Sequence, residues 1–135
     1  MNENIRSEVV DWYDAALIDL EEARSAFMNK RYNWALFAAH QAVEKALKAA
    51  IMALKKKRPP KTHDLTRLLA LTELKLEREL EIGISELSPY YIIARYPNAG
   101  LERPWESISK ETAQRLIEIA EKLVTKIGEI IGIKE

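Results

Sequence analysis

Apolar residues recur at steps of three and four along most of the chain, which is the spacing of one face of an α-helix. In the first segment, about residues 6–28, this face consists of Val9, Trp12, Ala16, Leu20, Ala23 and Phe27. The same spacing predicts a second helix over about residues 33–55 and a last helix over about residues 110–131. The pattern therefore predicts an all-α fold, a bundle of four to five helices.

Residues that stop helices mark the ends of these segments. The prolines at 59–60 end the second helix, and Thr62 is the predicted N-cap of the third. Gly83 is predicted to end the third helix, and a fourth helix follows and ends near residue 95. Pro89 is tolerated in the fourth helix only close to its first turn. We expect an irregular loop over residues 95–107.

Composition narrows the class of protein. Lys and Arg number 21, Asp and Glu number 21, and there is no cysteine, so disulfides and cysteine-ligated zinc are excluded. The balanced charge argues against a general nucleic-acid coating protein. No run approaches the ~20 apolar residues of a membrane span, and the first residues lack the pattern of a signal peptide. We expect one domain over residues 1–135, located in the cytoplasm.

The second helix carries one narrow polar sector. Its apolar residues occupy nearly the whole helical wheel, with alanines on a side where another helix can approach closely, so most of it should be buried. The polar residues of the sector are His40, Gln41, Glu44, Lys45 and Lys48. Burying such groups unpaired costs about 1 to 3 kcal/mol each, so they should face a cleft, a partner or a ligand.

Three blocks of the sequence resemble the HEPN (higher eukaryotes and prokaryotes nucleotide-binding) family. They are RYNWALFAAHQAVEKALKA at 31–49, PKTHDL at 60–65 and YIIARYPN at 91–98, in the order in which the family has them. The resemblance implies an up-and-down bundle of four to five helices, of a kind that commonly dimerises and that binds a nucleotide. It also implies a small nucleotidyltransferase as partner, in a two-component system of the toxin–antitoxin kind.

The polar sector and the third block supply the candidate nucleotide-binding residues, which are His40, Gln41, Lys45, Lys48, Arg95 and Tyr96. Ammonium and guanidinium groups can hold phosphates, and a tyrosine ring can stack on a base. Each residue also has a structural interpretation. His40 and Gln41 can be satisfied polar groups inside the bundle, Lys48 can pair with Glu44 one turn earlier, and Arg95 can stabilise a helix C-terminus.

Some HEPN branches are ribonucleases that carry, late in the bundle, an arginine and a histidine with four to six residues between them. The chain has histidine only at 40 and 63, so the expected late histidine after Arg95 is missing. The only match to the spacing is Arg58 with His63, a weak alternative catalytic pair in a basic loop. No metal cluster or nucleophilic constellation is present in the sequence. A binding protein is therefore favoured over an enzyme.

The partner and cofactor expectations follow from the same arguments. We expect a homodimer, no metal, no membrane, and no cofactor other than a nucleotide. RNA stays open as a ligand but is not favoured. Two alternative functions remain: a metal-independent endoribonuclease toxin, and a helical interaction scaffold without a small-molecule site.

Overall fold

The structure, a computed structural model, describes residues 3–133, with side chains described from Arg6 onward; residues 1–2, where part of the signal-peptide expectation falls, lie outside it. Its helices are α1 (Glu3–Met28), α2 (Tyr32–Lys55), α3 (Leu65–Thr72), α4 (Arg78–Leu87), α5 (Tyr90–Ile93), α6 (Pro104–Ser107) and α7 (Lys110–Ile131). Residues 3–133 contain no β-strand, and α5 and α6 are single turns. The predicted all-α bundle of four to five helices is therefore confirmed.

Helix α2 lies at the centre of the bundle and packs against α1, α7, α3, α4, α5 and α6. Its predicted small-residue side is buried, and the fully inaccessible alanines are Ala35, Ala39, Ala42, Ala46, Ala49 and Ala50. An alanine leaves room for the backbone of a neighbouring helix, so this side lets several helices reach α2 at once. The central position of α2 places its polar sector inside the bundle.

A close approach between α1 and α7 depends on Gly128. A Cβ atom at this position would lie 2.2 Å from the hydroxyl oxygen of Tyr13. That hydroxyl is buried and donates a hydrogen bond to the Val124 carbonyl at 2.9 Å. Glycine is needed here because any side chain would displace the ring that ties the two helices together.

The prediction that Gly83 breaks a helix is wrong. Gly83 is buried within α4, and a Cβ there would lie 2.4 Å from Cγ2 of Ile119 on α7. The glycine serves a close helix–helix contact rather than a turn. The break between the third and fourth helices falls at residues 73–77 instead, after the C-cap Glu73, and a second break at Pro89 separates α4 from α5. Ser88 does not cap α5 with its side chain, because its hydroxyl oxygen accepts from the Leu65 amide.

Two further local predictions are corrected. The N-cap of α3 is Asp64, whose carboxylate accepts from the amides of Thr66 and Arg67. A carboxylate also suits the positive end of a helix, which explains why it displaces Thr62 from this role. The predicted loop over 95–107 ends in the single turn α6, with Pro104 at its first position.

Candidate functional site

The carboxylate of Glu44 is the centre of a buried polar cluster on α2. Lys48 Nζ donates to its Oε2 at 3.0 Å, and His63 Nδ1 donates to its Oε1 at 2.9 Å. The amide of Gln41 donates to the same Oε1 at 3.4 Å. Glu44 and Lys48 are only 4% and 6% exposed, so each needs the other to offset the loss of hydration.

The proton of His40 can be placed from its neighbours. His40 Nε2 lies 3.0 Å from the backbone carbonyl oxygen of His63, which can only accept, so Nε2 carries the hydrogen. The other ring nitrogen, Nδ1, is then free to accept from Gln41 Nε2 at 3.3 Å. Burial lowers the pKa of His40 from 6.5 to about 4, although Glu44 nearby acts in the opposite direction. His40 is therefore neutral near pH 7.

A layered arrangement of rings and one guanidinium covers this cluster. The rings of His63 and Tyr91 stack with centroids 3.8 Å apart and planes 10° from parallel. Arg95 lies 4.3 Å from the Tyr91 centroid and 5.0 Å from those of Phe37 and Tyr96. Its Nε donates to the Tyr91 carbonyl at 2.7 Å. The guanidinium is thus held in place by aromatic faces and one backbone contact.

Arg95 differs from the other arginines in how its charge is balanced. The arginines with carboxylate partners are Arg24, Arg58, Arg103 and Arg115. The remaining described arginines other than Arg95 are exposed to solvent. Within residues 3–133, Arg95 is therefore the only half-buried arginine without a carboxylate partner. Because its Nε alone is engaged, its two terminal nitrogens remain free to donate to a ligand.

A cleft of about 380 Å³ between α1 and α2 adjoins this surface. Its lining residues are Asp19, Glu22, Ser25, Ala26, Arg31, Trp34, Phe37, Ala38 and Gln41. The Trp34 and Phe37 rings stand nearly perpendicular, with centroids 6.0 Å apart. Since Phe37 also contacts Arg95, the cleft and the guanidinium share one aromatic wall.

The structure brings some of the predicted nucleotide-binding residues together. His40, Gln41, Arg95 and Tyr96 lie around the layered rings, and the charge of Arg95 is close enough to act on His40. Lys48 joins them through its predicted i,i+4 pair with Glu44, which is confirmed.

Lys45 has a different neighbour. Its Nζ lies 2.8 Å from Asp19 Oδ2 on α1, and the pair is half-buried. Lys45 and Lys48 both have carboxylate partners. Phosphate binding by these lysines remains a prediction, and it requires a phosphate to replace the carboxylates.

The weak catalytic pair is held by two different carboxylates. Arg58 is exposed and forms a bidentate pair with Glu8, at 2.8 Å for each contact. His63 is bound to Glu44 and stacked on Tyr91. No contact joins Arg58 to His63 among the described side chains, and their catalytic role remains an untested alternative.

Sequence reasoning missed the contacts of Tyr91 and Phe37 with Arg95. Tyr91 stands four residues before Arg95 in the third resemblance block, and Phe37 four residues before Gln41. That i,i+4 spacing was a usable signal for both. The contacts that join α2 to α5 and to the segment before α3 had no signal in the sequence, since they depend on tertiary packing.

The described part of the chain offers neither a metal-type cluster nor a membrane-spanning helix. No group of three or more His, Cys, Asp or Glu residues there is arranged to hold a metal ion. No helix within residues 3–133 has the length and apolar character needed to cross a membrane.

These features define a helical-bundle protein with a cation–aromatic surface over a buried polar cluster. The model of the HEPN domain family matches residues 9–130, and the chain belongs to that family. No curated protein matches the chain in the corresponding comparison.

Several solved structures are similar to it. TT1696 from Thermus thermophilus is 29% identical, with a TM-score of 0.78, and the match covers 90% of this chain and 96% of TT1696. The archaeal HEPN homologue ST0689 is 27% identical, with a TM-score of 0.77, and the match covers 91% of this chain and 97% of ST0689. The HEPN domain protein TM0613 from Thermotoga maritima is 27% identical, with a TM-score of 0.70, and the match covers 90% of this chain and 98% of TM0613.

Proposed function

We propose that the protein binds a nucleotide, with Arg95 as the principal contact to phosphate. The observation that carries the proposal is the state of this side chain, a half-buried guanidinium on three rings without a carboxylate partner among the described residues. Its planar N–H donors match two phosphate oxygens, and an anion would balance its charge.

Exposed rings beside Arg95 support the same ligand class. Tyr96 is 51% exposed and Trp34 is 48% exposed, although both lie against other aromatic or cationic groups. A base stacked on such a ring gains about 1 to 3 kcal/mol. His40 and Gln41 belong to the buried cluster under these rings. Lys45 and Lys48 are paired with Asp19 and Glu44, so a phosphate would have to replace those carboxylates to bind them.

Calorimetry with nucleoside monophosphates and the matching nucleosides tests the phosphate contact. Arg95→Ala should weaken nucleotide binding about tenfold to 150-fold, because one charge-assisted contact contributes roughly 1.5 to 3 kcal/mol. The same variant should change nucleoside binding little. Arg78→Ala is the matched control, since Arg78 is an exposed arginine of α4 without an ion pair among the described residues. Equal nucleotide affinity in Arg95→Ala and the parent chain would refute the proposal.

Membership of the HEPN family supports a further part of the proposal, a small nucleotidyltransferase as partner in a toxin–antitoxin-like system. The basic segment 55–61 offers a contact for an acidic surface. Its residues Lys56, Lys57 and Lys61 are exposed and form no ion pair within the described chain. A complex steered by these charges should weaken as salt rises. Co-expression with a nucleotidyltransferase encoded nearby should give a complex at low salt, and its absence there would remove this part of the proposal.

A further inference from the structure

The orientation of the Gln41 amide is fixed by its neighbours in the buried cluster. The His63 carbonyl holds the hydrogen of His40 on Nε2, which leaves Nδ1 as an acceptor. Gln41 Nε2 donates to this Nδ1 and to Glu44 Oε1. The amide nitrogen is therefore committed to the cluster. The carbonyl oxygen of Gln41 is the atom that remains for the α1–α2 cleft, which Gln41 lines.

The cleft offers a second acceptor in the carboxylate of Glu22. This residue is exposed and has no ion pair among the described side chains. Asp19 also lines the cleft, but it is engaged by Lys45. Arg31 is the only cationic residue of the lining. Besides Arg31, the lining therefore offers two acceptor groups next to the Trp34 and Phe37 rings, the Gln41 carbonyl and the Glu22 carboxylate, and these suit a planar ligand whose edge carries N–H donors.

Guanine fits this arrangement better than the other purine. Its pairing edge carries an N1–H and a 2-amino group side by side, and a carboxylate can accept both in parallel, as it does from arginine. Adenine presents one amino group beside a ring nitrogen that can only accept. Placing that nitrogen against a carboxylate would leave two acceptors facing each other, which counts against adenine.

We propose that the α1–α2 cleft takes the guanine base of the bound nucleotide, with Glu22 and Gln41 as acceptors and Trp34 as a stacking surface. The proposal rests on the proposed nucleotide binding and adds the identity of the base. Trp34 is chosen over Tyr96 because it lines the cleft together with Glu22 and Gln41. Phe37 lines the same cleft and contacts Arg95, so the phosphate of a nucleotide whose base lies in the cleft could extend to the guanidinium. His40 acts as a positioning residue, because it fixes which end of the Gln41 amide faces the ligand.

Calorimetry with GMP, IMP and AMP on the full chain tests the base assignment, since IMP keeps the N1–H but lacks the 2-amino group. We expect affinity in the order GMP, IMP, AMP, with GMP at least about tenfold tighter than AMP, as unmatched polar groups discriminate strongly. Glu22→Gln should bring the GMP-to-AMP ratio close to one. Glu21→Gln is the matched control, because Glu21 is its exposed neighbour and does not line the cleft.

A second variant guards against effects on folding. Gln41→Leu removes the acceptor oxygen and should lower GMP affinity more than AMP affinity in protein whose circular dichroism is unchanged. Equal binding of GMP and AMP by the parent chain, or tighter binding of AMP, would overturn the base assignment alone if Arg95→Ala still weakens both. A ratio unchanged by Glu22→Gln would also overturn it. Absence of binding by all three nucleotides would reject the proposed function and this assignment together.

Discussion

The buried neutral His40 should make the stability of the bundle depend on pH. Folding lowers the pKa of this histidine from 6.5 to about 4, because the ring is inaccessible to water. The unfolded chain therefore binds the proton more readily than the folded one. The stabilisation from a neutral His40 is complete above about pH 6.5 and is lost as pH falls toward 4.

The size of the effect follows from the two pKa values. One pKa unit corresponds to about 1.4 kcal/mol, so the full shift is worth about 3 kcal/mol. Between pH 7 and pH 5, the free energy of unfolding should fall by about 2 kcal/mol through His40 alone. The groups around the ring are Glu44, His63 and Arg95; the carboxylate favours the charged ring, whereas the side chains of His63 and Arg95 act against it.

Denaturant unfolding from pH 7 to pH 5 measures this free energy in the parent chain and in His40→Gln. The glutamine amide can still donate to the His63 carbonyl but does not titrate. His40→Gln should be less stable at pH 7 because the ring is lost from a packed site, yet its stability should decline less by about 2 kcal/mol over this range. Subtracting the two pH dependences of the free energy of unfolding cancels the contribution of the carboxylates that both chains share. Parallel pH dependences would refute the argument that His40 is kept neutral by burial.

Three further outcomes can be checked on the purified protein. Gly128→Ala should lower the free energy of unfolding by about 1 to 3 kcal/mol, because the new methyl group collides with the Tyr13 hydroxyl; unchanged denaturant unfolding would contradict this. We expect a homodimer, since large apolar side chains such as that of Trp105 are exposed; a mass near 15.5 kDa by light scattering across micromolar concentrations would contradict this. Structured and unstructured RNA should stay intact, and cleavage abolished in both Arg58→Ala and His63→Ala would instead support the endoribonuclease alternative.

The long helices were predictable from sequence because each has a sustained apolar repeat. The bounds expected for α1, α2 and α7 differ from those of the structure by at most three residues. The segment between residues 60 and 107 was predicted less well. Gly83 looked like a break because spacing alone does not show that Ile119 of a distant helix needs its missing side chain.

The candidate site also has a part that was predictable from the sequence and a part that was not. The polar sector of α2 and the Glu44–Lys48 pair follow from positions on one helix, and both were predictable. The stacking of His63 on Tyr91, and of Arg95 on Phe37, joins residues far apart in the chain. No periodicity encodes such contacts, since they arise only when α5 and the segment before α3 pack on α2.

The alanine side of α2 has a consequence for how sequences with this fold can diverge. The six alanines buried there are fully inaccessible, and a larger residue would force neighbouring helices apart. Mutations that enlarge these residues destabilise the fold itself, whichever ligand the protein binds. The exposed groups of the cleft, such as Glu22 and Trp34, are under no such packing restriction. Descendants of one ancestral bundle can therefore exchange their ligand-facing groups freely while the α2 alanines stay the same.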